Sequence, residues 1–434
     1  PRDMDFMQNV NAESIQNIVR LRRHPCIALW CGNNEIDEGW KNWGWQKQYN
    51  YTAADSASVY QGYKNLFNGL LMNNVRKFDT LRTYIPTSPM FGWGKPESRR
   101  AGDLHYWGVW WGKHPFSSYK TNVGRFMSEY GFQAFPDMST LRRFTRPEDL
   151  QLGSAVMKAH QKHPTGYEII DEYMMREFKR PKDFESYAYV SQILQAEGIK
   201  TAIESHRRAM PYCMGTLFWQ YNDCWPVVSW SARDYFGTPK ALHYYLRNEY
   251  RDVLVSPVME NGRLRVYVVT DRYYAMTGHL NVKVTDLNGK VLRDTLNEIS
   301  VPYLNSKYFF DADSAAFLKG LDPKNIVMKA TFITSAKIEE RFSNTFYFVP
   351  LKDLALEKPN IVKEIKEIPV GFKITLTSDK LAKSVFLSTM VSGKFIENFV
   401  DIIPGEPVEI FFVTKYTGKD LLDKISIRSL QDTY

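Results

Sequence analysis

Short apolar runs that stop abruptly at a carboxylate, an amide or an aromatic cluster recur through the first 250 residues, with helical spacing between them. This recurrence constrains the fold more than any other feature. A parallel strand covered on both faces reads as a continuous apolar run. At the C-terminal face of a (β/α)8 barrel, polar groups stand just past such runs. Runs of this kind end near residues 31, 86, 105, 129 and 219. Ile15, Ile18 and Val19 keep helical spacing, 53–83 read as helix and connector, and 187–210 read as helix. Gly198 shifts the apolar face of the last segment, so a bend or break is expected there. Residues 214–220 read again as a buried strand. The alternation predicts an α/β fold with parallel strands, a partial (β/α)8 TIM barrel over 1–250.

The pattern changes after Tyr250. Val266-Tyr267-Val268-Val269, Val282-Lys283-Val284-Thr285 and Val291-Leu292 are strand-like, and Asn261-Gly262 and Asn288-Gly289 are hairpin signals. An immunoglobulin-like β-sandwich is expected over 251–350. Strand-like residues 372–376, 385–387 and 408–412, with a Pro404-Gly405 turn before the last, predict a second over 351–434. Residues 352–359 read as the linker between them.

Composition narrows the function. The 434 residues are 44% hydrophobic and 15% aromatic, which suits several packed cores and excludes a disordered chain. Net charge is +8, but Lys and Arg are interspersed with Asp and Glu, as in Val362-Lys363-Glu364-Ile365-Lys366-Glu367. Nucleic-acid binding needs a basic stripe, so that class is set aside. None of the four cysteines is in CxxC spacing, which argues against a zinc site, and so few form no disulfide framework. No apolar run reaches 18 residues, so no membrane-spanning helix and no membrane partner are expected. The chain opens inside a helix-bearing region and reads as a piece of something longer.

Two carboxylates carry the chemistry. Glu35 ends Leu29-Trp30-Cys31-Gly32-Asn33-Asn34-Glu35, and Glu129 lies in Arg125-Phe126-Met127-Ser128-Glu129-Tyr130-Gly131. A general acid needs a raised pKa, and an apolar strand end with amide neighbours raises it without a second charge. Asn34 beside it can hydrogen-bond a sugar hydroxyl. Asn residues at this place can equally cap a helix. A nucleophilic carboxylate must stay ionised, and Ser128, Tyr130 and Arg125 are candidates to help Glu129 do so. Two such carboxylates within about 5 Å are the machinery of a retaining glycosidase. Trp219 at a strand end can floor a sugar pocket, with Asn222 and Asp223 in the loop beyond it. Gly102-Asp103-Leu104-His105-Tyr106-Trp107 reads as another binding wall, although a structural role suits His105 as well.

With these segments in hand, the chain resembles the β-mannosidases of glycoside hydrolase family 2. The resemblance rests on Trp30-Cys31-Gly32-Asn33-Asn34-Glu35, Tyr84-Ile85-Pro86-Thr87-Ser88-Pro89, Gly102 to Trp107, Ser128-Glu129-Tyr130-Gly131-Phe132-Gln133 and Gly215 to Asp223. Ser229-Trp230, Lys240-Ala241-Leu242-His243-Tyr244 and the segment 399–406 add to it. It implies Glu35 as acid/base, Glu129 as nucleophile, Asn34 on the 2-position hydroxyl, and Trp219 and Trp43 as walls. It implies hydrolysis of terminal β-D-mannosides with retention, without metal or organic cofactor. A β-galactosidase or β-glucuronidase of the same family, and a non-catalytic carbohydrate-binding relative, are the alternatives. The resemblance begins at the family's fourth barrel strand. The missing partners are then the N-terminal domains and first three strands of the same protein, and these residues alone are expected to be a poor enzyme.

Overall fold

A computed structural model describes residues 3–418 and 420–434 and divides them into two compact units. The first comprises the chain up to Gly108, Asn122–Tyr130 and Tyr212–Leu217. The second comprises Val109–Thr121, Gly131–Pro211 and Phe218–Tyr434.

In the first unit, helix Met4–Leu21 starts at Asp3, whose carboxylate accepts the Phe6 N–H at 2.8 Å. Strand β1 (Leu29–Cys31) follows. A long helical stretch from Ala53 to Phe78 then opens on a reciprocal cap between Thr52 and Asp55. It returns the chain to β2 (Thr83–Ile85), which pairs in parallel with β1, Leu29 opposite Thr83 and Cys31 opposite Ile85. β3 (Leu104–His105) and β4 (Met127–Glu129) form a second parallel pair. Their register slips at Ser128, so Leu104 faces Met127 while His105 faces Glu129. The slip is a bulge, which re-aims side chains beside it.

Residues 214–217 depart from the expected buried strand. They make a single parallel bridge, Thr216 to Met127, with the Leu217 N–H donating to Met127 O at 2.7 Å. Met214 and Leu217 are exposed, and the Phe126 ring lies where a Gly215 Cβ would be.

In the second unit, helix Phe184–Arg208 is continuous. Gly198 does not break it. The Phe116 ring occupies the space of its missing Cβ, so this glycine serves packing. Phe116, Phe132 and Tyr173 pack with ring centroids 4.8 to 5.2 Å apart. Beyond helix Ala241–Glu249, β5 (Val253–Glu260), β6 (Arg263–Thr270), β7 (Met276–Asp286), β8 (Val291–Val301), β9 (Asn305–Asp313), β10 (Ile326–Thr334) and β11 (Arg341–Phe346) build two antiparallel sheets. Their orders are β5-β6-β9 and β11-β10-β7-β8. Asn261 and Gly262, both at positive φ, turn β5 into β6. Leu264, Val266, Leu280, Val282, Met328 and Phe332 fill the core between the sheets.

A second sandwich is made of β12 (Ile361–Ile368), β13 (Gly371–Ser378), β14 (Ala382–Thr389), β15 (Lys394–Phe395), β16 (Val400–Ile402), β17 (Val408–Val413) and β18 (Ile425–Arg428). Its sheets run β12-β13-β17-β15 and β16-β14-β18. The stretch read as a linker is anchored instead. Leu354 is buried, and Leu356 packs on Leu287 and Val327 of the first sandwich and Leu381 and Ile403 of the second.

Candidate active site

Glu35 follows β1 in a left-handed conformation, φ 58°. For a residue with a Cβ this costs about 1 kcal/mol or more and persists only where the surroundings over-determine it. Here they do. The Glu35 N–H donates to Ser88 O at 2.8 Å, and the Ser88 N–H donates to Asn33 O at 2.9 Å. Asn33 Nδ2 donates to Pro86 O at 2.7 Å, while its Oδ1 accepts the Ile36 N–H and the Thr87 hydroxyl, each at 3.1 Å. Asn33 therefore caps the helix Ile36–Asn42, as its position allowed, and at the same time fixes the segment that carries Glu35.

The register slip brings the second carboxylate to the same place. His105 Nδ1 lies 2.7 Å from Glu35 Oε1 and 3.3 Å from Glu129 Oε2. One ligating atom from each of the three lies within 4.8 Å of the others. On the far side of the ring, Nε2 is 3.0 Å from Ser88 Oγ. Ser88 Oγ donates to Asp103 Oδ2, and Ser128 Oγ, on the bulge, donates to the same oxygen at 2.6 Å.

Burial pushes the Glu129 carboxyl above its usual range. His105 opposes this, Glu35 adds to it, and a hydrogen bond from Trp107 opposes it again. The residues expected to keep Glu129 ionised are engaged elsewhere: the Ser128 hydroxyl on Asp103, the Tyr130 hydroxyl on Thr216 at 2.7 Å, and the Arg125 guanidinium over the Tyr212 ring. His105 and Trp107 take that part.

Glu35, Glu129, His105 and Trp107 thus come together in the first unit. Asn34 is exposed beside them, its backbone bridged to Ser88. Trp43 is half exposed at the end of helix Ile36–Asn42, edge-on to Trp45. Trp219, Asn222 and Asp223 belong to the second unit. Trp219 and Asn222 are exposed there. Asp223 lies in the loop beyond Trp219 but is buried there, and its carboxylate accepts from Ser229 at 2.7 and 2.9 Å, Ser231 at 2.6 Å and Gln220 at 3.2 Å. From the sequence, Ser88 and Asp103 have no role of their own, and Asn33 has only that of an amide neighbour of Glu35 or a helix cap. Their signal was present, since each sits in a segment singled out for another residue.

Residues 262–353 match the Mannosidase Ig/CBM-like domain, and 356–433 match the Ig-fold domain of mannosidases. A β-D-mannosidase structure from Dictyoglomus thermophilum is 32% identical and superposes with a TM-score of 0.86 over 99% of this chain and 51% of that one. The chain is similar to the C-terminal half of a family 2 β-mannosidase. β-Mannosidase B of Neosartorya fischeri is 27% identical, covering 93% of this chain and 50% of its own length. β-Mannosidase A of Aspergillus fumigatus is 27% identical, with 98% and 52% covered. An exo-chitosanase from Amycolatopsis orientalis, 16% identical with a TM-score of 0.68, shares the fold. The chain therefore spans about half the length of the relatives it matches.

Proposed function

We propose that this chain is part of a retaining exo-β-mannosidase that removes terminal β-D-mannose. The observation that carries the reading is the placing of Glu35 and Glu129 on one histidine nitrogen, at 2.7 and 3.3 Å. A retaining pair sits about 5–5.5 Å apart, whereas an inverting pair leaves roughly 6.5–9.5 Å for a water. The names of the relatives supply the mannoside.

In this reading Glu35 protonates the glycosidic oxygen as a Glu129 oxygen attacks the anomeric carbon. The C–O bond to the leaving group breaks and a mannosyl ester forms on Glu129. Glu35, now ionised, takes a proton from water, whose oxygen displaces Glu129. Trp107 and His105 favour the ionised form of Glu129. Asn34 and Trp43, exposed in the same unit as the two carboxylates, contact the sugar, whereas Asp223 holds the Trp219 turn through Gln220, Ser229 and Ser231. The short parallel strands, with Leu29, Met214 and Leu217 exposed, support an arc of a (β/α)8 barrel that further strands of a longer protein complete. We place the domain boundaries near residues 250 and 350.

The test is turnover by the full-length protein of p-nitrophenyl β-D-mannoside, β-D-galactoside and β-D-glucuronide, with NMR identification of the first-formed anomer. Mannoside should be preferred and β-mannose formed first. α-Mannose first, or a faster galactoside or glucuronide, would overturn the reading.

A further inference from the structure

The partners on one side of the His105 ring decide the roles on the other. The Asp103 carboxylate only accepts hydrogen bonds, so Ser88 and Ser128 both donate to it. A serine hydroxyl has one proton. With it directed to Asp103, Ser88 Oγ can only accept from its other neighbour, His105 Nε2 at 3.0 Å, so Nε2 carries a proton. On the opposite side, Nδ1 and Glu35 Oε1 are 2.7 Å apart, too close for two bare lone pairs. That contact holds a second proton, on Nδ1 or on Glu35.

We propose that Asp103, acting through Ser88, is a positioning residue that pins one proton on His105 Nε2, so that His105 and Glu35 together carry two protons in the resting enzyme. This rests on Glu35 being the acid of the reaction proposed above. When Glu35 releases its proton to the leaving oxygen, a neutral His105 remains with its Nδ1 lone pair facing the new carboxylate. That repulsion strengthens Glu35 as the base that next takes a proton from water, and the count returns to two. An unpinned ring would turn an Nδ1–H toward Glu35, hold it ionised and weaken the acid. Two further carboxylates face the ring, Glu129 at 3.3 Å from Nδ1 and Asp103 itself at 3.7 Å from Nε2.

The tautomer is read directly from ring ¹⁵N shifts of histidine-labelled full-length protein, with His105→Asn identifying the resonance; no turnover is needed. Nε2 should show a protonated, pyrrole-type shift. Ser88→Ala should give a mixture of tautomers, and Ser88→Thr should restore the single form. In rate measurements, Ser88→Ala should move the alkaline limb of kcat/KM to lower pH. It should lower kcat/KM for a mannoside with a poor leaving group about tenfold or more, while kcat/KM for 2,4-dinitrophenyl mannoside, whose first step needs no acid, changes less than about twofold. A bare Nε2 in the unsubstituted protein would overturn the proposal, and so would Ser88→Ala with unchanged tautomer and pH profile. If Ser88→Ala does not fold, the tautomer of the unsubstituted protein decides alone. A pinned tautomer in a protein without mannosidase turnover would sink the reaction assignment and leave the proton count standing.

Discussion

His105 and Glu129 face each other across one rung of a parallel strand pair because the register slips at Ser128. The slip has two effects. It turns the Ser128 hydroxyl to Asp103, and it sets Glu129 within 3.3 Å of the nitrogen that also meets Glu35. A one-residue irregularity in two very short strands thus assembles both carboxylates around one ring.

The two carboxylates should fail differently when removed from the full-length protein. Glu129→Gly removes the attacking atom, and turnover should fall by about 10⁴-fold or more for every leaving group, with sugar binding retained. In kcat/KM, Glu35→Ala should cost about 10²–10⁴-fold with poor leaving groups and little with 2,4-dinitrophenyl mannoside, whose first step needs no proton, while kcat for that substrate still falls because Glu35 is the base of the second step. Steady-state kinetics across a leaving-group series separates them. Equal losses for Glu35→Ala across the series would remove its assignment as the acid.

Burial raises the Glu129 pKa, so the folded protein holds that proton to a higher pH than the unfolded chain does. Stability therefore falls as pH rises from the unfolded value, about 4.3, through the raised folded value. Glu129→Gln cannot ionise and escapes this loss. It should melt higher than the unsubstituted protein at pH 7, and the difference should vanish below about pH 4, under both pKa values. Thermal denaturation at the two pH values checks the sign. A lower melting temperature for Glu129→Gln at pH 7 would mean that the hydrogen bonds to the ionised form outweigh burial.

What could be read in advance divides by distance along the chain. Glu35 and Glu129 each end a local apolar run, so they stood out, and the Asn261-Gly262 turn stood out for the same reason. The ring partners of His105, Glu35, Ser88 and Glu129, come from three separate segments, and no local pattern joins Ser88 to Asp103. The burial of the loop residue Asp223 was not legible because its partners Ser229 and Ser231 fold back over it later in the chain. Gly198 suggested a broken helix because the ring that needs the space, Phe116, lies far upstream. The stretch 352–359 looked free because the apolar groups that anchor Leu356 come from two different sandwiches.

Gly198 gives a packing prediction. Alanine is a better helix former than glycine by about 1 kcal/mol, yet its Cβ would enter the space of the Phe116 ring. Overpacking of this kind costs about 1–3 kcal/mol, so Gly198→Ala should lower the denaturation midpoint. In a double-mutant cycle with Phe116→Ala, the loss from Gly198→Ala should disappear, because the ring it strikes is gone. A stabilised single mutant would show that Phe116 moves aside freely.

Lys383 gives the largest expected effect on stability. Its side chain is 3% exposed, with Nζ 2.8 Å from Glu197 on helix Phe184–Arg208 and 3.1 Å from Asp401 on β16. Burial alone would push its pKa down, but Asp401 and Glu197 raise it well above the usual lysine value. The stabilisation is complete below the unfolded lysine pKa of about 10.4 and is lost only as pH rises through the higher folded value. Lys383→Met removes a cation from between two carboxylates, and breaking such a buried pair costs about 3–5 kcal/mol. Urea denaturation at pH 7 should show a loss of that size. Adding Glu197→Gln and Asp401→Asn to Lys383→Met should recover much of it, because no charge is then left unpaired. A loss below about 1 kcal/mol for Lys383→Met alone would mean that water already reaches the pair, as in a surface ion pair.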